Sequence, residues 1–246
     1  MKVQLNVNGF EYEASYTDRE VNNIYLPLLK DITKKSRENK GNRYIVFLAA
    51  PPGTGKSTLS LLLEKLSRED DNLENLQALS LDGFHHFNDY LKSNYMEIDG
   101  KKELLYRRKG APETFDLENI KTYLKKLSEN KKVKWPIYDR QLHNPVMDVI
   151  DINSKIILIE GNWLLLDEEG WRDIKEFADY SIFIEAKKET IKNRLISRKV
   201  RGGYSQEDAE NFYLNSDGPN VDRVLNHRME SDLLLEMLET CENKIK

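Results

Sequence analysis

Apolar and polar residues alternate at Val3, Leu5 and Val7 and again at Phe10, Tyr12, Ala14 and Tyr16, with Asn8-Gly9 between the two runs. Alternation of period two marks strands with one covered face, and Asn-Gly favours the type I′ turn of a hairpin, so the chain is expected to open with a β-hairpin. Thr17-Asp18-Arg19-Glu20 then has the spacing of a capping box. The period becomes helical at Val21, Ile24, Leu28 and Ile32, with Pro27 expected to bend the helix and the basic stretch Lys34 to Arg43 to end it. Residues 1–40 hold too few apolar positions for a core of their own. They read as a hairpin-and-helix extension packed on a second unit, residues 41–246.

In that unit the apolar runs are continuous rather than alternating. Tyr44 to Ala49 and Lys155-Ile156-Ile157-Leu158-Ile159-Glu160-Gly161 have the pattern of strands buried on both faces of a parallel sheet. Leu76 to Leu81 and Tyr180 to Glu185 add two more strands, and Asp232 to Glu236 fits either a last strand or the middle of a helix. Helical spacing appears at Leu59, Leu62, Leu63 and Leu66, at Leu117, Ile120, Leu124 and Leu127 behind the cap Asp116, from Asp167 to Phe177, at Ile191, Leu195 and Ile196, and again from Ser205 after Gly202-Gly203. Residues 87–112 have weak periodicity and read as an irregular insertion facing the substrate. Val133 to Ile152 alternates between Pro136 and Pro145 as a small hairpin lobe does. Strands alternating with helices through right-handed crossovers predict an α/β fold, a parallel sheet with helices on both faces.

Composition narrows the class. Charged residues make up 33% of the chain with both signs mixed and a net charge of −4, which describes a solvated surface and excludes a general nucleic-acid binder. No apolar stretch approaches the roughly 20 residues that span a bilayer, and the first residues lack the apolar core of a signal peptide. The single cysteine, Cys241, cannot form an internal disulfide, so a reducing, cytoplasmic location is expected.

The candidate chemistry begins at Ala50-Pro51-Pro52-Gly53-Thr54-Gly55-Lys56-Ser57-Thr58, between a strand and a helix. Backbone N–H groups of such a turn, with the positive end of the helix dipole, enclose a polyphosphate, while Lys56 reaches the outer phosphates and the Ser57 hydroxyl completes a Mg²⁺ shell. Ala50 stands where the P-loop pattern has glycine, at the mouth of the loop rather than in its tight part. Asp82 and Glu160 end two strands, and acids at strand carboxyl ends of such a sheet face the ligand crevice.

With these motifs in order, the chain resembles the P-loop kinases of the uridine kinase/phosphoribulokinase family over about residues 42–236. The shared stretches are the P-loop, Asp82-Gly83-Phe84-His85, Lys109 to Asp116, Pro136-Ile137-Tyr138-Asp139 with His143, Ile159 to Trp163, and Arg194-Leu195-Ile196-Ser197-Arg198. The resemblance implies a P-loop NTPase fold with a five-stranded parallel sheet, a small β-lobe and a lid at about residues 194–204. It implies transfer of a phosphoryl group from ATP, with Mg²⁺, to a hydroxyl of a small molecule. Asp82 would take the hydroxyl proton and Glu160 would serve the metal with Ser57. Gly53, Thr54, Gly55, Lys56, Thr58 and Arg194 would hold the nucleotide, and Arg198 and Arg201 would meet the transferring group. Phe84, His85, His86, Lys109, Tyr138 and His143 would contact the acceptor.

Uridine kinases carry an aromatic–acid pair where this chain has Lys109-Gly110. A lysine there suits a carboxylate or phosphate. Pantothenate, a sugar or a phosphorylated sugar therefore stand beside uridine as acceptors. A regulatory nucleotide switch is the rival reading from another class, but the guanine-selecting Asn-Lys-x-Asp is absent from the chain. A homo-oligomer is compatible with all of these readings.

Overall fold

The computed structural model describes residues 1–7, 10–39, 43–98 and 100–246. Strands β1 (Lys2–Val7) and β2 (Phe10–Ser15) pair antiparallel in the register that the alternation required, Val7 opposite Phe10. The Asn8-Gly9 turn lies outside the described residues. Thr17 and Glu20 close a capping box: the Thr17 hydroxyl accepts from the Glu20 amide and the Glu20 carboxylate accepts from the Thr17 amide. Helix α1 follows as Asp18–Glu20, a π turn Val21–Tyr25, and Leu26–Glu38. The wider π turn, in which the Leu26 amide reaches the Val21 carbonyl, immediately precedes Pro27, which has no amide proton to give.

The rest of the chain comprises β3 (Tyr44–Ala49), α2 (Lys56–Glu69), β4 (Leu76–Ser80), α3 (Asn88–Ser93), β5 (Tyr95–Ile98), β6 (Lys101–Leu104) and α4 (Leu117–Ser128). It continues through β7 (Lys134–Asp139), β8 (Asn144–Asp151), β9 (Ile156–Gly161), β10 (Tyr180–Ala186) and α5 (Lys188–Arg201). Helix α6 then runs as Gln206–Phe212, a π turn Tyr213–Asp217, and Gly218–Asn226, and β11 (Leu233–Met237) and β12 (Asn243–Ile245) complete the order.

The central sheet has the order β12-β11-β10-β3-β9-β4. Its five strands from β11 to β4 are parallel, as expected, and the Leu233 run is a strand rather than a helix. A sixth strand, β12, joins β11 antiparallel at the edge. Alternation along β3 divides the interior into two layers. Tyr44, Val46 and Leu48 face Leu28, Leu29 and Ile32 of α1 and Leu59, Leu62 and Leu63 of α2, a layer that also takes in Val3 and Leu5. Ile45, Phe47 and Ala49 face the opposite layer, which holds Ile120, Leu124 and Leu127 of α4 and the residues Trp135, Trp163 and Trp171. Both layers cover a sheet whose central strands β3 and β9 are buried throughout, which explains their unbroken apolar runs.

Two sequence expectations change. The described residues between 87 and 112 include α3, the two-stranded ladder β5–β6 and a 3₁₀ turn Leu105–Arg108. Between Asp167 and Phe177 only Arg172–Phe177 is helical, and it is a 3₁₀ helix. The β7–β8 hairpin forms as predicted. Among the described residues no helix is long and apolar enough to cross a membrane.

Candidate active site

The loop between β3 and α2 is fixed by two glycines in the left-handed region, Gly53 at φ 84° and Gly55 at φ 89°. A side chain at either position would be strained, and a Cβ on Gly53 would also press on Leu195 of α5 at 3.0 Å. Thr54 is buried and donates from its hydroxyl to the Pro51 carbonyl at 3.0 Å, and Thr58 does the same to Gly55 at 2.7 Å. With the side chains so occupied, the unpaired amides of the first turn of α2 are left for an anion.

Lys56 and Ser57 open α2 opposite the end of β9. The Ser57 hydroxyl donates to Glu160 Oε1 at 3.0 Å, and Lys56 Nζ lies 4.0 Å from Oε2. Glu160 is 4% exposed. Burial pushes its carboxyl up from the ordinary range and pushes the Lys56 ammonium down, each partly offset by the charge of the other. In the sheet register Ser80, the last residue of β4, is opposite Glu160. Two residues on, Asp82 sits in a 3₁₀ turn, Leu81–Phe84, capped by the Ser80 hydroxyl. Its charge also acts on Lys56. Neighbouring strand ends thus bring two acids to one lysine.

Close backbone contact joins this turn to the hairpin lobe. A Cβ on Gly83 would lie 2.4 Å from the Pro136 carbonyl oxygen in β7. The Trp135 indole donates to the Ser80 carbonyl at 2.8 Å, bracing the same junction. His85 is oriented by its Nδ1 against the Asp82 carbonyl at 2.8 Å, with its ring 3.9 Å from that of Phe115 and 5.3 Å from that of Tyr138. Burial lowers its pKa, so Nδ1 keeps its proton and Nε2 its lone pair. His86 is half-buried and stacks on Tyr90 at 4.1 Å.

Lys109 follows the 3₁₀ turn Leu105–Arg108. Its ammonium donates to Asn88 Oδ1 and to the His143 carbonyl, both at 2.7 Å, and stands 4.9 Å from the centre of the Tyr138 ring. Two expected acceptor contacts are placed differently from the sequence reading. Phe84 is 1% exposed, its ring packed edge-on against Tyr123 and Trp135 in the core, so it supports the turn instead of lining the site. His143 has an exposed side chain and a φ of 48°, and it is its carbonyl that serves the site by holding Lys109 and Asn88.

A cleft of about 1050 Å³ runs along the loop. Arg140 lines it together with Lys56 and Ser57, and so do Arg194, Arg198 and Arg201 of α5. Arg194 is locked by a bond from Nε to the Gly53 carbonyl at 2.6 Å, whereas Arg198 and Arg201 are exposed. Sequence reasoning missed three contributors. Arg140 had a signal in its place beside Tyr138-Asp139 but no motif of its own. Tyr16, at the end of the first hairpin, lines the cleft together with Thr58, and burial raises its pKa to about 12. Cys241 lines it as well. Neither had a local signal, because both reach the cleft through the packing of the chain ends: Glu20 is 3% exposed and accepts from the Tyr25 hydroxyl at 3.0 Å and from the Asn243 amide at 2.8 Å.

Comparison with known proteins gives a consistent result. The model of the phosphoribulokinase / uridine kinase family matches residues 45–242. YggC, an uncharacterized protein of Escherichia coli (strain K12), is 43% identical over 97% of this chain and 97% of its own. A pantothenate kinase of Streptococcus mutans is 28% identical over 85% of this chain and 73% of its own. Among solved structures, a Silicibacter sp. TM1040 protein provisionally described as a fructose transport system kinase superposes with a TM-score of 0.72 at 30% identity, covering 84% of this chain and 98% of that one.

Proposed function

The chain belongs to the phosphoribulokinase/uridine kinase family, and on that premise we propose that it is an ATP-dependent kinase that phosphorylates a hydroxyl of a small metabolite. The supporting observation is the meeting of Asp82 and Glu160, from adjacent strand ends, around the P-loop residues Lys56 and Ser57. The residues divide the work. Loop amides and Lys56 hold the polyphosphate, and Arg194 fixes the loop through Gly53. Arg198 and Arg201 are free to close on the transferring group. The acceptor oxygen bonds to the γ-phosphorus as its bond to the β,γ-bridging oxygen breaks. ADP leaves with that electron pair, and the acceptor proton passes to Asp82.

Magnesium fits the donor set. Among the described residues no three His, Cys, Asp or Glu side chains converge as an all-protein cage. One hydroxyl and one carboxylate, Ser57 and Glu160, instead suit an ion shared with phosphate oxygens and water. When bound there it neutralises phosphate charge.

The Tyr138 ring, half-buried beside His85, offers a platform for a base, as a nucleoside such as uridine would need, while Lys109 beside the same ring supports the pantothenate- and sugar-phosphate-type acceptors. The exposed side chain of His143 adds nothing to the nucleoside case. The enzyme is read as cytoplasmic, where its exposed thiol, Cys241, would stay reduced.

A coupled ADP-release assay with a panel of hydroxylated metabolites tests the proposal. Asp82→Asn should lower kcat by about 10²–10⁴ while nucleotide affinity holds, because only the proton acceptor is removed. Lys56→Ala should abolish turnover in a folded protein. Nucleotide binding lost with Asp82→Asn, or turnover retained with Lys56→Ala, would sink the assignment.

A further inference from the structure

Arg140 is the cation that ties the two halves of the site together. It follows Asp139, whose carboxylate accepts from the amides of Gln141 and Leu142 at 2.8 and 2.9 Å and so fixes the tip of the β7–β8 hairpin. From that tip its guanidinium reaches back to 3.5 Å from Asp82 Oδ2 and 5.9 Å from the centre of the Tyr138 ring. Its side chain is 46% exposed, so it is held loosely, by one long ion pair. Lys109 stands over the same ring. Its two bonded partners are neutral oxygens, and among the described residues it forms no ion pair. Burial and the neighbouring Lys92 lower its pKa to about 8, the state of a cation short of counter-charge. The site thus places an arginine and a lysine around one aromatic ring, with Asp82 already engaged by the arginine.

We propose that Arg140 and Lys109 form an anion subsite for the acceptor, so that the true substrate is a hydroxyl compound carrying a carboxylate or a phosphate, and that its anionic group draws Arg140 away from Asp82. This rests on the kinase reading above and deepens it. The Arg140 guanidinium stands against Oδ2 of Asp82, so an acceptor that claims Arg140 leaves that oxygen open to the hydroxyl proton. A neutral alcohol offers Arg140 nothing and leaves the pair in place. The bidentate fork of arginine suits either anion, and loss of one such charge-assisted pairing from a half-buried site is a large penalty.

The test uses matched pairs of compounds: ribose 5-phosphate against ribose, glycerate against glycerol, and pantothenate against pantothenol, with uridine as a further neutral acceptor. ADP release and calorimetric binding are measured for each with the wild-type protein and with Arg140→Gln, Arg140→Lys and Lys109→Gln. The expected result is at least a tenfold preference in kcat/KM for the anionic member of one pair. That preference should collapse in Arg140→Gln and Lys109→Gln and return in part in Arg140→Lys, with ATP affinity unchanged. A phosphate pair or a carboxylate pair responding alone identifies the anion. Equal use of both members, turnover with uridine or another neutral acceptor only, or a preference that survives Arg140→Gln would overturn the subsite while leaving the kinase standing. Arg140→Gln weakening ATP binding and all acceptors alike would overturn it too, by assigning the arginine to the nucleotide. Anion binding that depends on Arg140 without any ADP release would instead support the subsite and sink the kinase reading.

Discussion

Replacing Gly83 with alanine should injure the enzyme through distance alone. No charge or hydrogen bond is removed. The added Cβ would lie 2.4 Å from the Pro136 carbonyl oxygen, 2.6 Å from its carbon and 2.9 Å from the Ile137 nitrogen, all of them backbone atoms that cannot rotate away. Ordinary contact lies near 3.5 Å, so the Asp82 turn and β7 must part by about 1 Å. Overpacking of this kind costs about 1–3 kcal/mol, which in a chain of this length lowers Tm by roughly 2–12 °C. The turn carries Asp82 and His85, and β7 carries Tyr138 and leads to Arg140. A displacement of about 1 Å between base and acceptor costs on the order of 10² in rate. The atoms nearest the added Cβ belong to β7 and none to the P-loop, so nucleotide affinity should hold. Thermal unfolding, nucleotide calorimetry and ADP release on one preparation separate these effects. An alanine variant with the parental Tm and kcat, or one whose nucleotide affinity falls along with kcat, would refute the reasoning.

Other expectations can be checked in parallel. Glu20→Gln keeps the shape of the side chain but turns one acceptor oxygen into a donor facing the Tyr25 hydroxyl and Asn243 amide or the Thr17 groups, so stability should fall by about 1–3 kcal/mol in denaturant titration; an unchanged midpoint would mean that the buried carboxylate is dispensable. Lys109 binds an anion only when protonated and its pKa is lowered to about 8, so kcat/KM for an anionic acceptor should decline as pH rises through about 8. Lys109→Arg should move that decline out of range, and an unmoved profile would exclude Lys109 as its origin. Residues 194–204 join the arginine-bearing end of α5 to Gly203, whose φ of 98° and open surroundings allow bending, and an ATP analogue should slow hydrogen exchange there. Equal exchange with and without the analogue would count against a lid.

What could be read in the sequence was what is local in it. The P-loop carries its glycines, lysine and hydroxyl within a few residues, and β3 and β9 announce themselves by apolar runs that only a doubly covered strand can bury. The capping box at Thr17 is equally local. The hidden features depend on distant partners. Strand β12 and the strands of the β5–β6 ladder are three or four residues long, so no period can build up before they end. Phe84 was placed in the site by its motif, but the 3₁₀ turn sends Asp82 outward and Phe84 into the core. Arg140 gains its place only when Asp139 closes the hairpin and Gly83 lets β7 settle against the neighbouring turn. Tyr16 enters the cleft only through the buried Glu20 linkage to the other end of the chain.

The division of the interior by β3 has an optical consequence. All three tryptophans of the chain lie in the layer that supports the acceptor half, and the layer beneath the nucleotide loop has none. Trp135 hangs from the Ser80 carbonyl under Asp82, and Trp163 from the Gly110 carbonyl beside Lys109 at 3.0 Å. Near-ultraviolet emission from the unlabelled protein therefore watches one ligand and is nearly blind to the other. An acceptor should shift the spectrum directly, and a nucleotide only to the extent that it moves the lobe across the sheet.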